Sequence, residues 1–130
     1  MKIEYKVKVL ELTENEIATI ISGASYGVGY WCQEMGIEED VYKIYRMEDD
    51  FIEDIQARAI KDGHTMYFID IEDGNLKYFL TYEKLLKGVE KFIERGRCVN
   101  IKEIFTEGNE DSEDMDFIIQ YALFDEIIFG

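Results

Sequence analysis

Between His64 and Gly96 the hydrophobic period of the chain changes once, from two to about 3.6, and that change limits the fold more than any other feature. HTMYFIDI (64–71) and LKYFLT (76–81) have strand composition and flank Glu72-Asp73-Gly74-Asn75, where Asp-Gly suits a type I′ turn. An antiparallel hairpin is expected. Thr81 then caps a helix whose Leu85, Leu86, Val89, Phe92 and Ile93 form one apolar stripe, and Gly96 stops it. A hairpin that leads straight into an amphipathic helix needs a core shared by sheet and helix, so the fold class is α+β.

The flanking segments fill in this plan. Ile3, Tyr5, Val7 and Val9 alternate with Lys2, Glu4, Lys6 and Lys8, the pattern of a strand with one wet face. Thr13 and Glu16 make a capping box ahead of Ile17, Ile20, Ile21 and Ala24 at helical spacing, and this helix ends near Gly23 to Gly27. VYKIYRM (41–47) has strand-like composition, and Asp49 or Asp50 is placed to cap a helix with Phe51, Ile52, Ile55 and Ala59 inward and Gly63 at its end. RCVNIKEIF holds a short strand or turn, FIIQYALF (117–124) reads as a helix buried on more than one side except for Gln120, and EIIFG offers a last short strand. The expectation is a single domain over residues 1–130, with a largely antiparallel sheet packed by three to four helices. At 130 residues it buries roughly two thirds of its unfolded surface, and with no proline and no repeat there is no sign of a connector to a second core.

The net charge of −15 is segregated. Residues 34–54 hold nine acids against Lys43 and Arg46, and residues 103–116 hold seven acids and no base. A field of this sign repels nucleic acid and anionic membrane and attracts a basic protein surface, whereas a plain solvated surface is its ordinary role. No apolar run is long enough for a membrane span, and the N-terminus lacks a signal-peptide block, so a cytoplasmic protein is expected. Cys32 and Cys98 are far apart and read as reduced thiols.

Catalytic chemistry finds little footing. His64 is the only histidine, and its spacing to Cys32, Cys98 and a carboxylate does not favour a zinc site. D-x-E-D-G (70–74) lacks the later bidentate Glu of a calcium loop and sits inside the hairpin signal. Gly27-Val28-Gly29 does not join a strand to a helix N-terminus, so it is a weak phosphate cradle. A non-enzymatic binding protein without cofactor is expected, and two mechanisms compete. In one, Tyr26, Tyr30 and Trp31 of GASYGVGYWC offer stacking faces for a nucleobase while Arg46, Arg58, Arg95 and Arg97 hold phosphates, Arg58 pointing outward because it falls outside the apolar stripe. The competing structural role puts Tyr30 and Trp31 in the core and pairs Arg58 with Asp54. In the other mechanism the acids form a phosphate-like array that occupies a nucleic-acid-binding protein.

GASYGVGYWC, LTYEKLLKG (80–88) and IIQYALFDEIIFG (118–130) together resemble a widespread group of small phage and prophage proteins of Firmicutes. That group carries a Gly-Gly-x-x-Tyr-Trp stretch and an ending close to QYALFGEIVFG; here Ala24 and Asp125 stand where glycine is usual. The chain also looks like the Thoeris anti-defence proteins, phage sponges that sequester cyclic ADP-ribose signals between protomers. The resemblance implies a phage accessory protein acting in the infected cell, a cyclic nucleotide as ligand and a homo-oligomer; a basic host defence protein is the partner under the acidic-mimicry alternative.

Overall fold

The structure, a computed structural model, describes residues 8–9, 11–48, 50–96, 101–105 and 111–130. Its elements are α1 (Glu14–Gly27), β1 (Cys32–Gly36), α2 (Glu39–Tyr45), α3 (Ile52–Lys61), β2 (Met66–Asp70), β3 (Lys77–Leu80), α4 (Tyr82–Glu94), α5 (Ile101–Ile104) and α6 (Ser112–Phe124). The three strands form one antiparallel sheet in the order β1-β2-β3, so the class is α+β as the period change predicts.

Local chemistry starts α1 and α4 where expected. The Thr13 hydroxyl accepts from Glu16 N at 3.1 Å while Glu16 accepts from Thr13 N at 2.8 Å, the reciprocal capping box that opens α1. Thr81 accepts from Lys84 N and opens α4, which turns out of the helix at Gly96 with φ of +75°. Buried Leu85, Val89, Phe92 and Ile93 make up its inward face. α6 packs between α1 and α4 and touches β3, which is why its apolar residues run nearly all round. Close approach of α4 and α6 depends on Gly88: a Cβ there would lie 2.7 Å from both the Ala122 Cβ and the Ile118 carbonyl. Gly27 does the same for α1, where a Cβ would collide with the Ser112 carbonyl.

Several expectations are corrected. Residues 41–47 are not a strand: 39–45 form α2, which begins with Glu39 and Asp40 at the favourable end of the helix dipole and packs half-buried Val41, Tyr42 and Tyr45 inward. The third strand is β1, with an irregularity between Cys32 and Glu34. Phe51 is the N-cap residue of α3 and, with Ile52, faces outward; the buried face is Ile55, Ala57, Ala59 and Ile60. Asp50 does not cap that helix but pairs with Arg58, and Asp49 lies outside the described residues. The hairpin forms without a type I′ turn: Gly74 has no positive φ, and Asp70 Oδ1 instead accepts from Glu72 N and Asp73 N at 2.8 and 3.1 Å. Residues 127–130 form no strand. Asp125 takes the left-handed conformation, φ 64°, that ends α6. The strand expected at 3–9 falls mostly outside the described residues; Val9, which is described, donates its N–H to Glu90 at 2.7 Å and not to the sheet. Arg97 and Cys98 also lie outside them.

Candidate functional site

GASYGVGYWC leaves α1 through a tight turn in which Trp31 N and Cys32 N both donate to the Val28 carbonyl, at 3.0 and 2.9 Å. The turn throws Trp31 inward, where it is 1% exposed. Phe129 stacks on the indole at 5.0 Å and 3°, Phe68 stacks at 6.1 Å, and Phe124 and Tyr78 meet it edge-on. Its Nε1 donates to Asp116 Oδ1 at 2.7 Å. The stacking face expected of Trp31 is therefore used by the protein's own rings, and the residue belongs to the core.

Asp116, itself 1% exposed, organises a polar network inside that core. Its Oδ2 accepts from the Tyr30 hydroxyl at 2.6 Å, and Gln120 Nε2 donates to the carboxylate at 3.1 and 3.2 Å. Gln120 Oε1 in turn accepts from Ile128 N and Phe129 N at 3.0 and 2.9 Å, which ties the C-terminal segment down and holds Phe129 over Trp31. Burial, followed by the Asp116 carboxylate beside it, pushes the Tyr30 phenol up to about 12. Gln120 stood out in the sequence as the polar residue of an apolar helix, whereas Asp116, one turn before it, was indistinguishable from its acidic neighbours.

Arg58 is also turned inward, against the expectation that it points to solvent. Its Nη2 pairs with Asp50 and donates to the Tyr45 carbonyl at 3.0 Å, its side chain is 19% exposed, and the partner is not Asp54. It straps the loop between α2 and α3. Arg46 follows α2 and Arg95 follows α4, both exposed and on separate parts of the fold, so the described arginines do not converge with the Tyr-Trp pair.

Tyr26 is the most exposed ring of the stretch, 83% on the last turn of α1. It separates two open clefts. The larger, about 740 Å³, runs along α1 from Asn15 to Tyr26 and is closed on its other side by Phe51, Glu53 and Asp54. The smaller, about 520 Å³, lies between Tyr26, Tyr30, Glu113 and the chain end at Gly130. Among the described residues, neither lining includes a lysine or an arginine. The two clefts thus offer aromatic faces and carboxylates without a cation, an environment suited to positive charge.

Other candidate chemistry is spoken for. Asp70 accepts from Tyr78 at 2.8 Å as well as from Glu72 N and Asp73 N, and these bonds hold its carboxyl below the usual range. They leave the D-x-E-D-G segment acting as a loop staple. Burial pushes the Cys32 thiol up to about 11. His64 meets Tyr45 edge-on at 5.3 Å. Among the described residues no group of three His, Cys, Asp or Glu is placed to hold a metal ion, and no helix is long and apolar enough to cross a membrane. No family model, curated protein or solved structure matches the chain.

Proposed function

We propose that this chain is a non-catalytic binding protein that docks on a basic surface of another protein, taking basic side chains into the cleft between Tyr26 and Phe51. The observation that carries this reading is the composition of that cleft: two exposed aromatic rings beside Glu53 and Asp54, with no cation among the described residues that line it. A guanidinium over an exposed ring gains about 0.5–1 kcal/mol, more where water is excluded, and a bidentate carboxylate adds direction. A phosphate in the same place meets only repulsion. Ile44, Met47 and Ile52, exposed along the same segment as Phe51, supply apolar area around the acids. Together with the resemblance to phage accessory proteins, this favours acidic mimicry of nucleic acid on a host defence enzyme over sequestration of a cyclic nucleotide, for which Arg58 would have to abandon Asp50.

The test is calorimetry with a hexa-arginine peptide and, separately, with cyclic ADP-ribose. Peptide binding is expected to weaken as salt rises and to fall about tenfold in E53Q/D54N, but not in E72Q/E126Q, which removes equal charge elsewhere. Cyclic ADP-ribose binding, or peptide binding equally weakened by both double variants, would overturn the reading.

A further inference from the structure

Among the described residues, only one face of the sheet belongs to the core. On that face Met66 pairs with Leu80, and Phe68 lies between Met35 and Tyr78. The alternate positions make two rows across the opposite face, Gly36–Tyr67–Phe79 and Glu34–Ile69–Lys77. Tyr67 and Ile69 are half-buried there, Phe79 is 48% exposed, and the Lys77 ammonium lies 5.4 Å from the Tyr67 ring centre. Ile71 and Leu76, just beyond the strand ends, are exposed as well. On a chain of net charge −15 the strand residues of this face carry one acid, Glu34 on the β1 edge, and one base, Lys77 on the β3 edge, while Glu38 just past β1 also acts on the Tyr67 phenol.

We propose that a second copy of this chain packs on the outer face of the sheet, in a symmetric dimer built on Tyr67, Ile69 and Phe79. This face is separate from the cleft, which lies on α1, α3 and the start of α6. The charge pattern selects both the occupant and the symmetry. A twofold axis along β2, between two stacked sheets, lays β1 of each copy over β3 of the other, so that Glu34 meets the partner's Lys77 twice and Ile69 meets its own copy. An axis across the strands would oppose Glu34 to Glu34 and Lys77 to Lys77, which like-charge repulsion disfavours. A strongly acidic partner would find no such complement to Glu34, and a basic one none to Lys77. Three strands at about 4.8 Å spacing and roughly 3.3 Å per residue give a footprint well below the about 800 Å² per partner of a standard interface. The dimer is therefore weak and grows with concentration.

Sedimentation equilibrium of the full chain, from about 10 µM to about 1 mM, tests this. The expected mass rises from 15.3 kDa toward twice that value. F79D abolishes the rise, with an unchanged circular dichroism spectrum showing that it folds. E34K and K77E each weaken association about tenfold, and E34K/K77E restores it. The E34K result is the sharper one, because that change makes the chain less negative and would strengthen an association opposed only by overall charge. A mass of 15.3 kDa throughout, dimerisation of F79D as strong as the parent's, or a double reversal that fails to restore association overturns the proposal.

Discussion

Replacing Asp116 by asparagine changes one oxygen to an amide group and tests whether GASYGVGYWC is held from within. In the native core the carboxylate accepts from Trp31 Nε1, the Tyr30 hydroxyl and Gln120 Nε2 with no water access, Asp116 being 1% exposed. The substituted amide keeps one acceptor oxygen and turns an N–H donor toward groups that themselves donate. The best rearrangement leaves the amide oxygen on Trp31 and swings the Tyr30 hydroxyl to the Phe129 carbonyl, 3.3 Å away, where Gln120 Nε2 already donates at 3.2 Å. At least one charge-assisted bond is lost outright, about 1.5–3 kcal/mol, and one buried donor is crowded, about 1 kcal/mol more. The expected loss for Asp116→Asn is about 2.5–4 kcal/mol. Urea unfolding followed by Trp31 fluorescence and by far-UV circular dichroism measures it, as a lower midpoint with unchanged slope. A loss below about 1 kcal/mol would refute the claim that this network fixes Trp31 in the core.

Three more outcomes follow from the same packing. Gly88→Ala drives a methyl group against Ala122 and the Ile118 carbonyl and is expected to lower the unfolding free energy by about 1–3 kcal/mol; a neutral result would mean that α4 and α6 are farther apart than described. Arg58→Ala removes a half-buried ion pair with Asp50 and the strap on the Tyr45 carbonyl, so about 2 kcal/mol of stability is expected to go, and a variant as stable as the parent would return Arg58 to the candidate ligand residues. Tyr30 and Tyr78 are both pushed up to about 12, mainly by burial and then by hydrogen bonds to Asp116 and Asp70. Because the folded values lie above the unfolded value of 10.0, their contribution is complete below about pH 10 and disappears as pH rises toward 12. For Tyr30 two pH units correspond to about 2.7 kcal/mol, which its half-exposed ring reduces to about 1. Absorbance at about 295 nm is expected to show a late-ionising phase that includes Tyr30 and Tyr78, and Tyr30→Phe to reduce its amplitude; a late phase left unchanged by Tyr30→Phe would contradict the network.

The parts of this fold that were legible in the sequence are those carried by local signals. Thr13 with Glu16, Thr81, Gly63 and Gly96 mark helix ends through bonds made within a few residues, and the stripe from Leu85 to Ile93 is complete in one helix. α2 was misread because Val41, Tyr42, Ile44 and Tyr45 have strand composition, while the signal that decides, acids at 39 and 40 before a helical spacing of half-buried residues, is positional. β1 carries no β-branched residue and is paired irregularly, so its CQEMG gives no alternation to read. Phe51 and Ile52 are apolar and so read as inward; they stand at the N-cap and first position of α3 and are exposed, while the buried face begins at Ile55. The role of Trp31 depended on Asp116, 85 residues away, and the role of Arg58 on a loop that folds back over α3; neither distance is written in local pattern. Of the three aromatic residues in GASYGVGYWC, Trp31 is core, Tyr30 is half-exposed with its hydroxyl bound to Asp116, and Tyr26 stands most open to solvent.

A ¹⁵N-labelled sample titrated by NMR decides most directly whether that surface receives cations from a basic partner. Addition of hexa-arginine is expected to shift the backbone resonances of Tyr26, Phe51, Glu53 and Asp54 together, along one saturating curve, while cyclic ADP-ribose leaves them in place. Shifts centred on Tyr26, Tyr30 and an arginine with the nucleotide, and none at Glu53 and Asp54 with the peptide, would contradict the account.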